Sequence, residues 1–135
     1  MEIIQITKDT LYYIYRFINI PEQISHHFRY FQSRNPEVVL KEHIYTIVGV
    51  NEEDEPIAYG HIDFEGKNWL GICVLEPYKG KGYGKQIIEA LLSYADKNAL
   101  ELHLTVDEDN LVARKLYEKV GFEYVKGMLM KRKNP

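Results

Sequence analysis

Between positions 79 and 85 the chain reads Lys-Gly-Lys-Gly-Tyr-Gly-Lys, three glycines interleaved with lysines. Glycine lets backbone N–H groups crowd together where a Cβ would interfere. The stretch Trp69–Leu75 before it is apolar, and Ile87, Ile88, Leu91 and Leu92 follow at helical spacing. A glycine-rich turn that opens a helix leaves the first helical amides unpaired and partly positive, which suits a phosphate or pyrophosphate. Two familiar phosphate loops do not match. A Walker A loop needs Ser or Thr after its Gly-Lys, but Gly84-Lys85 is followed by Gln86 and no glycine stands five positions before Gly84. The dinucleotide fingerprint G-x-G-x-x-G lacks its third spaced glycine.

A second constellation lies downstream, where Asn110, Ala113, Tyr117, Gly121 and Phe122 are spaced N-x-x-A-x-x-x-Y-x-x-x-G-F. The loop itself fits R/Q-x-x-G-x-G/A over Lys79, Gly82 and Gly84, with lysine in the first place. That exchange keeps the charge and loses the fork geometry of arginine. The two motifs, in this order and separated by a helix and a strand, resemble those of the GCN5-related N-acetyltransferase (GNAT) superfamily over essentially the whole chain. The resemblance implies an α/β fold, a mixed central β-sheet of about seven strands flanked by about four helices. It implies a splayed strand pair that holds acetyl-CoA and no metal. Its coenzyme residues would be Val74 and Leu75, whose backbone would take the pantetheine arm as a substitute strand. Gly80, Lys81, Gly82, Gly84 and Lys85 would hold the pyrophosphate, with Lys79 adding charge. Asn110, which also reads as a helix cap, would touch the coenzyme arm. Tyr117 would protonate the departing thiolate, and the Leu75 N–H would donate to the thioester carbonyl.

Acyl transfer to an amine also needs a base. His61 and Asp63 are polar residues in an otherwise apolar strand, and alternation puts them on one face with Tyr59. An imidazole accepts a proton near neutrality, so His61 is a catalytic candidate beside Glu76, which follows the coenzyme strand. The segment PEQISHHFRYFQSR is dense in His26, His27, Arg29, Tyr30 and Arg34. Arginine can clamp a phosphate or carboxylate, and an aromatic ring can stack on a base or sugar. His27, Arg29, Tyr30 and Asp63 are therefore the substrate-binding candidates. The expected reaction moves acetyl from acetyl-CoA to a primary amine of a small acceptor, such as a nucleotide-linked amino sugar or an amino acid. The alternatives are a noncatalytic acyl-CoA-binding regulatory module and a peptide or protein N-acetyltransferase.

The 135 residues suffice for one domain spanning 1–135 with a single substantial core. Hydrophobic residues make up 45% and charged residues 27%, as in ordinary globular proteins. A net charge of −3 offers no general attraction for nucleic acid or anionic membrane. The single cysteine, Cys73, excludes an internal disulfide and has apolar neighbours, as a buried thiol would. No apolar run approaches membrane-spanning length and MEIIQITKDT lacks a signal-peptide pattern, so a cytoplasmic location is expected. GNAT proteins often dimerise, and the last strands offer an edge for a second copy.

The elements that must position these residues read in the order β-α-α-β-β-β-α-β-α-β-β. Strands are expected at Glu2–Ile6, His43–Val50, Ile57–Phe64, Trp69–Leu75, Glu101–Val106, Phe122–Val125 and Met128–Arg132. Helices are expected from near Lys8 with Thr7 as cap, over Gln23–Arg34, Lys85–Lys97 and Leu111–Val120. Asn35-Pro36 reads as a turn, and Gly121 as a helix C-cap.

Overall fold

The computed structural model describes residues 1–133, so the last two positions of the expected domain lie outside the described residues. Its strands are β1 (Glu2–Gln5), β2 (His43–Val50), β3 (Pro56–Phe64), β4 (Asn68–Val74), β5 (Leu102–Thr105), β6 (Glu123–Lys126) and β7 (Leu129–Arg132). The helices are α1 (Tyr12–Ile18), α2 (Pro36–Leu40), α3 (Tyr83–Lys97) and α4 (Leu111–Lys119). The seven strands form one mixed sheet in the order β1-β2-β3-β4-β5-β7-β6. Every pairing is antiparallel except β4–β5. None of the described helices is long and apolar enough to cross a membrane.

Alternation along the strands divides the core in two. One layer joins Ile47, Ile62, Leu70 and Leu104 to α3 through Ile87, Ile88, Leu91 and Leu92. The other joins Val48, Val50, Tyr59, Cys73 and Leu75 to α1 through Tyr13, Ile14 and Phe17. The four large apolar side chains of α3 stabilise the fold by roughly 1.5–3 kcal/mol each. Gly60 lets α3 lie directly on β3, since a Cβ there would sit 2.6 Å from Ile87 Cγ2 and 2.9 Å from Leu91 Cδ1.

The feature that creates the site is the short β4–β5 pairing. Only Asn68↔Leu102 and Trp69↔His103 are registered, and beyond them the two parallel strands diverge. β5 instead spends its length on β7, from Leu102↔Arg132 to Thr105↔Leu129. The outer half of β4 is therefore left without a partner on that side.

The first half of the chain departs from expectation. Gln23–Arg34 is not a helix; it holds single 3₁₀ turns at Pro21–Gln23 and Tyr30–Gln32 with irregular chain between them. Its aromatic residues pack on the sheet from this loop, with Phe28 and Phe31 rings 5.5 and 5.4 Å from that of Tyr59. Apolar spacing of three and four matched a helix, but packing onto Tyr59 set the path instead. Asn35-Pro36 opens α2 rather than closing a turn. The Asn35 side chain accepts from the Glu37 N–H at 2.9 Å, and proline occupies the first turn, where its missing N–H costs nothing. α1 starts at Tyr12, because Thr7 and Thr10 tie up a turn ahead of it through Thr7 N–H to Thr10 Oγ1 at 2.8 Å.

Candidate active site

A cavity of about 680 Å³ threads the gap between β4 and β5. At one end it meets the glycine loop and the start of α3, through Lys79, Gly80, Gly82, Tyr83, Gly84 and Lys85. Its middle is walled by Ile72 and Val74 of β4, Thr105 and Val106, and Ala113, Leu116 and Tyr117 of α4. At the far end lie Ser25–Arg29 and Asp107. The cavity thus runs from one face of the sheet to the other.

The backbone along this gap follows from strand register. Leu75 N–H donates to Ile57 O at 3.0 Å, and the pairing continues unshifted through Tyr59↔Cys73 and His61↔Gly71. In an antiparallel ladder alternate residues bond to the same neighbour. Leu75, Cys73 and Gly71 therefore face β3, while Val74, Ile72 and Leu70 turn their N–H and C=O groups into the gap. The assignment of Leu75 is corrected on this point. Its amide is already bonded, its side chain is buried beside α1, and it does not line the cavity. Val74 and Ile72 both line the cavity. Buried main-chain groups need partners, so an extended amide-bearing ligand fits here.

At the loop, Gly80 and Gly82 have φ of 78° and 84°, a region other residues enter at a cost, and a Cβ on either would project into open space. Gly82 is the N-cap of α3, which begins two residues earlier than expected. Gln86 N–H is the first to bond back, to Gly82 O at 3.2 Å, so the amides of Tyr83, Gly84 and Lys85 precede the intrahelical ladder. Lys79 pairs with Glu76 at 2.8 Å and Lys85 with Glu89 at 3.8 Å. Lys81 does not line the cavity; its ammonium lies 5.7 Å from the Tyr78 ring centroid. The loop and the gap fit a coenzyme with a pyrophosphate head and an amide arm.

Tyr117 is 7% exposed and lines the cavity. Burial and the neighbouring Cys73 thiol push its phenol well above the ordinary range, so it stays protonated. Its ring meets Phe122 edge-on at 5.8 Å, and no hydrogen bond contributes to the shift of its hydroxyl. Asn110 stands at the N-cap of α4 without a side-chain capping bond, so the capping expectation fails, and the residue lines the cavity. Cys73 also lines the cavity, and burial pushes its thiol up to about 12.

The polar residues of β3 lie elsewhere. His61 and Asp63 are 3% and 4% exposed and do not line the cavity. His61 packs under Gly71, where a Cβ would lie 2.7 Å from its Nε2, and its Nδ1 is 2.7 Å from the Tyr59 hydroxyl. Burial, with His43 and Arg34 nearby, drives the His61 imidazole well below its ordinary value, so it is neutral. Tyr30 O–H donates to Asp63 Oδ2 at 2.8 Å and also meets His43 Nε2 at 2.7 Å. Asp63 Oδ1 is buried without a partner, and burial raises its carboxyl. His61 and Asp63 are thus buried, with the half-buried Tyr30 and His43, in one cluster behind the cavity floor. Glu76 lines the cavity edge, half exposed and paired to Lys79.

His27 and Arg29 do reach the cavity, already engaged. Arg29 grips Asp107 with both terminal nitrogens at 3.0 and 3.1 Å, and His27 Nδ1 is 2.7 Å from Asp107 Oδ2. The Arg29 and His27 contacts hold Asp107 well below the usual carboxylate range. Nothing local in sequence marks Asp107 as the anchor of a loop eighty residues away.

The model of the acetyltransferase (GNAT) family matches residues 8–122. The chain belongs to the GNAT family. Among solved GNAT structures, an acetyltransferase from Streptococcus pneumoniae superposes with a TM-score of 0.79 at 17% identity, covering 99% of both chains. The phosphinothricin acetyltransferase of Sinorhizobium meliloti, in complex with AcCoA, gives 0.74 at 15% identity, over 98% of this chain and 88% of that one. These likenesses establish the GNAT fold. By sequence, the chain is 29% identical to the spermine/spermidine N(1)-acetyltransferase of Bacillus subtilis over 94 residues, 61% of this chain and 62% of that protein. The chain spans less than two thirds of the length of the curated relatives it matches.

Proposed function

We propose that this GNAT protein transfers an acetyl group from acetyl-CoA to the primary amine of a small acceptor, by direct transfer. The observation that carries the reading is the through-sheet cavity, with an anion-binding helix start at one end and unpaired β4 backbone along its wall. When bound, acetyl-CoA supplies an activated thioester. Ile72 and Val74 would hold its amide arm, and the amides from Gly80 to Lys85 its pyrophosphate. Tyr117 keeps a proton on its phenol oxygen, ready for the departing sulfur. Asn110, which makes no capping bond and lines the same cavity, would touch the coenzyme arm.

Two candidates remain for the base. His61 is a neutral imidazole separated from the cavity by Gly71, and Glu76 is a carboxylate at the edge that is shared with Lys79. The variants His61→Gln and Glu76→Gln separate them through the acid limb of kcat/KM. On the acceptor side, an anionic acceptor was expected to use Arg29, whose fork is taken by Asp107. The exposed carboxylate of Asp109 lies beside His27 at this end, and the likeness to a polyamine acetyltransferase favours a cationic amine.

The test is calorimetric titration of acetyl-CoA, followed by thiol release against amino sugars, nucleotide-linked amino sugars, amino acids, polyamines and short peptides. Binding with turnover on polyamines supports the reading, and turnover on nucleotide-linked sugars alone restores the anionic acceptor. Binding without turnover on any amine favours an acyl-CoA-binding regulatory module, a reading supported by the carboxylates of the cavity being already paired. No binding of acetyl-CoA overturns the assignment of the cavity.

A further inference from the structure

At the acceptor end of the cavity, two segments far apart in sequence bring metal-ligating side chains together. His26 and His27 come from the irregular loop after α1, and Asp109 comes from the turn between β5 and α4. One ligand atom from each lies within 4.8 Å of the others. His27 Nδ1 is 3.7 Å from Asp109 Oδ1 and 2.7 Å from Asp107 Oδ2. The two imidazoles are neighbours, with ring centroids 4.0 Å apart.

We propose that His26, His27 and Asp109, with Asp107 beside them, form a divalent transition-metal site of the zinc class. Tetrahedral zinc with bonds of 2.0–2.2 Å sets its ligand atoms about 3.4 Å apart. The two separations at His27 bracket that value, so a cation needs only sub-ångström adjustments there. His26 and Asp109 are exposed and free to turn inward. Two imidazoles and carboxylate oxygens make a nitrogen–oxygen donor set suited to Zn²⁺, Ni²⁺ or Co²⁺ rather than Mg²⁺.

A second, independent feature holds the site in place. Arg29 clamps Asp107 bidentately, and Asp107 in turn fixes His27. No other set of three such ligands of this kind occurs among the described residues.

Bound metal would tie the residue 26–27 loop to the turn at Asp109 across the end of the cavity. Resting on the acetyltransferase reading, one consequence is that Zn²⁺ inhibits competitively with the amine and not with acetyl-CoA. The site itself is tested without turnover. Tag-free protein, stripped with chelator, is titrated with ZnCl₂ by calorimetry, and Co²⁺ substitution is followed by its visible absorption. The expected result is one Zn²⁺ per chain, a tetrahedral Co²⁺ spectrum, and at least a tenfold weaker affinity in both His26→Ala and Asp109→Asn. Both exchanges are at exposed positions, and unchanged melting temperatures in the absence of metal confirm folding. Absence of Zn²⁺ binding, or equal affinity in the His26→Ala/Asp109→Asn double variant, overturns the site. Zinc binding without inhibition refutes only the kinetic consequence.

Discussion

Replacing Tyr117 by phenylalanine deletes one oxygen and keeps the ring. The ring contributes the packing, edge-on to Phe122 at 5.8 Å within the α3–α4 core layer. Only burial and the Cys73 thiol, and no hydrogen bond, act on the hydroxyl, so its loss breaks none among the described residues. Folding stability should therefore change by less than about 1 kcal/mol, the net worth of one ordinary hydrogen bond. If the phenol donates the proton to the departing thiolate, kcat should fall roughly 10²- to 10⁴-fold, the usual contribution of a positioned acid. That is about 3–5 kcal/mol of lost transition-state stabilisation. Acetyl-CoA affinity should be nearly unchanged, since the proton is needed only after the coenzyme has bound. Three measurements on one variant decide the matter: thiol release at saturating substrates, calorimetric affinity for acetyl-CoA, and thermal melting. Unchanged turnover refutes the acid role. A drop of several degrees in melting temperature alongside unchanged turnover would make Tyr117 a packing residue. Because its phenol is raised by burial and Cys73, Tyr117 should set no alkaline limit on the rate near neutrality.

Further outcomes follow from the same geometry. Gly82→Val should weaken acetyl-CoA binding at least 100-fold, because a branched side chain would enter the cavity at a φ of 84°. The left-handed backbone should also cost about 1–2 kcal/mol of stability, and wild-type affinity in calorimetry would sink the loop assignment. Arg29→Ala and Asp107→Asn break one clamp from its two sides, so both should raise the acceptor KM by similar factors and leave acetyl-CoA affinity intact. Dissimilar effects in steady-state kinetics would show that Arg29 touches the acceptor directly. For acid stability, burial lowers His43 to about 4 and moves His61 in the same direction. The unfolded chain then takes up protons below about 6.5 while the folded chain resists them, so stability present above that pH declines between about 6.5 and about 4. Asp63, raised in the fold, acts in the opposite sense over the carboxylate range. His43→Gln should flatten the fall of melting temperature over this window; an unaltered slope would refute the burial argument.

Locally encoded features were legible in the sequence, and those dependent on distant packing were not. The strand alternation of His43–Val50, the period of Ile87 to Leu92 and the order of the elements other than the second helix were readable, because each repeats within a few residues. The glycine loop was readable for the same reason, since positive φ at Gly80 and Gly82 is a local demand. The loop from Gln23 to Arg34 was misread as a helix because its apolar spacing has two uses. Only the presence of Tyr59 beneath it selects the irregular path.

The site divides along the same line. Sequence by itself determined the family motifs, the glycine-rich helix start and the tyrosine on α4, all of them fixed by spacing within one segment. Tertiary structure decided which β4 amides are free, because that depends on the Leu75–Ile57 bond and on where β5 leaves β4 for β7. It also decided that Arg29 belongs to Asp107 and that His61 and Asp63 sit behind the floor rather than in the cavity. A charged side chain's partner is set by what the fold brings within about 3 Å, and no spacing along the chain records that distance.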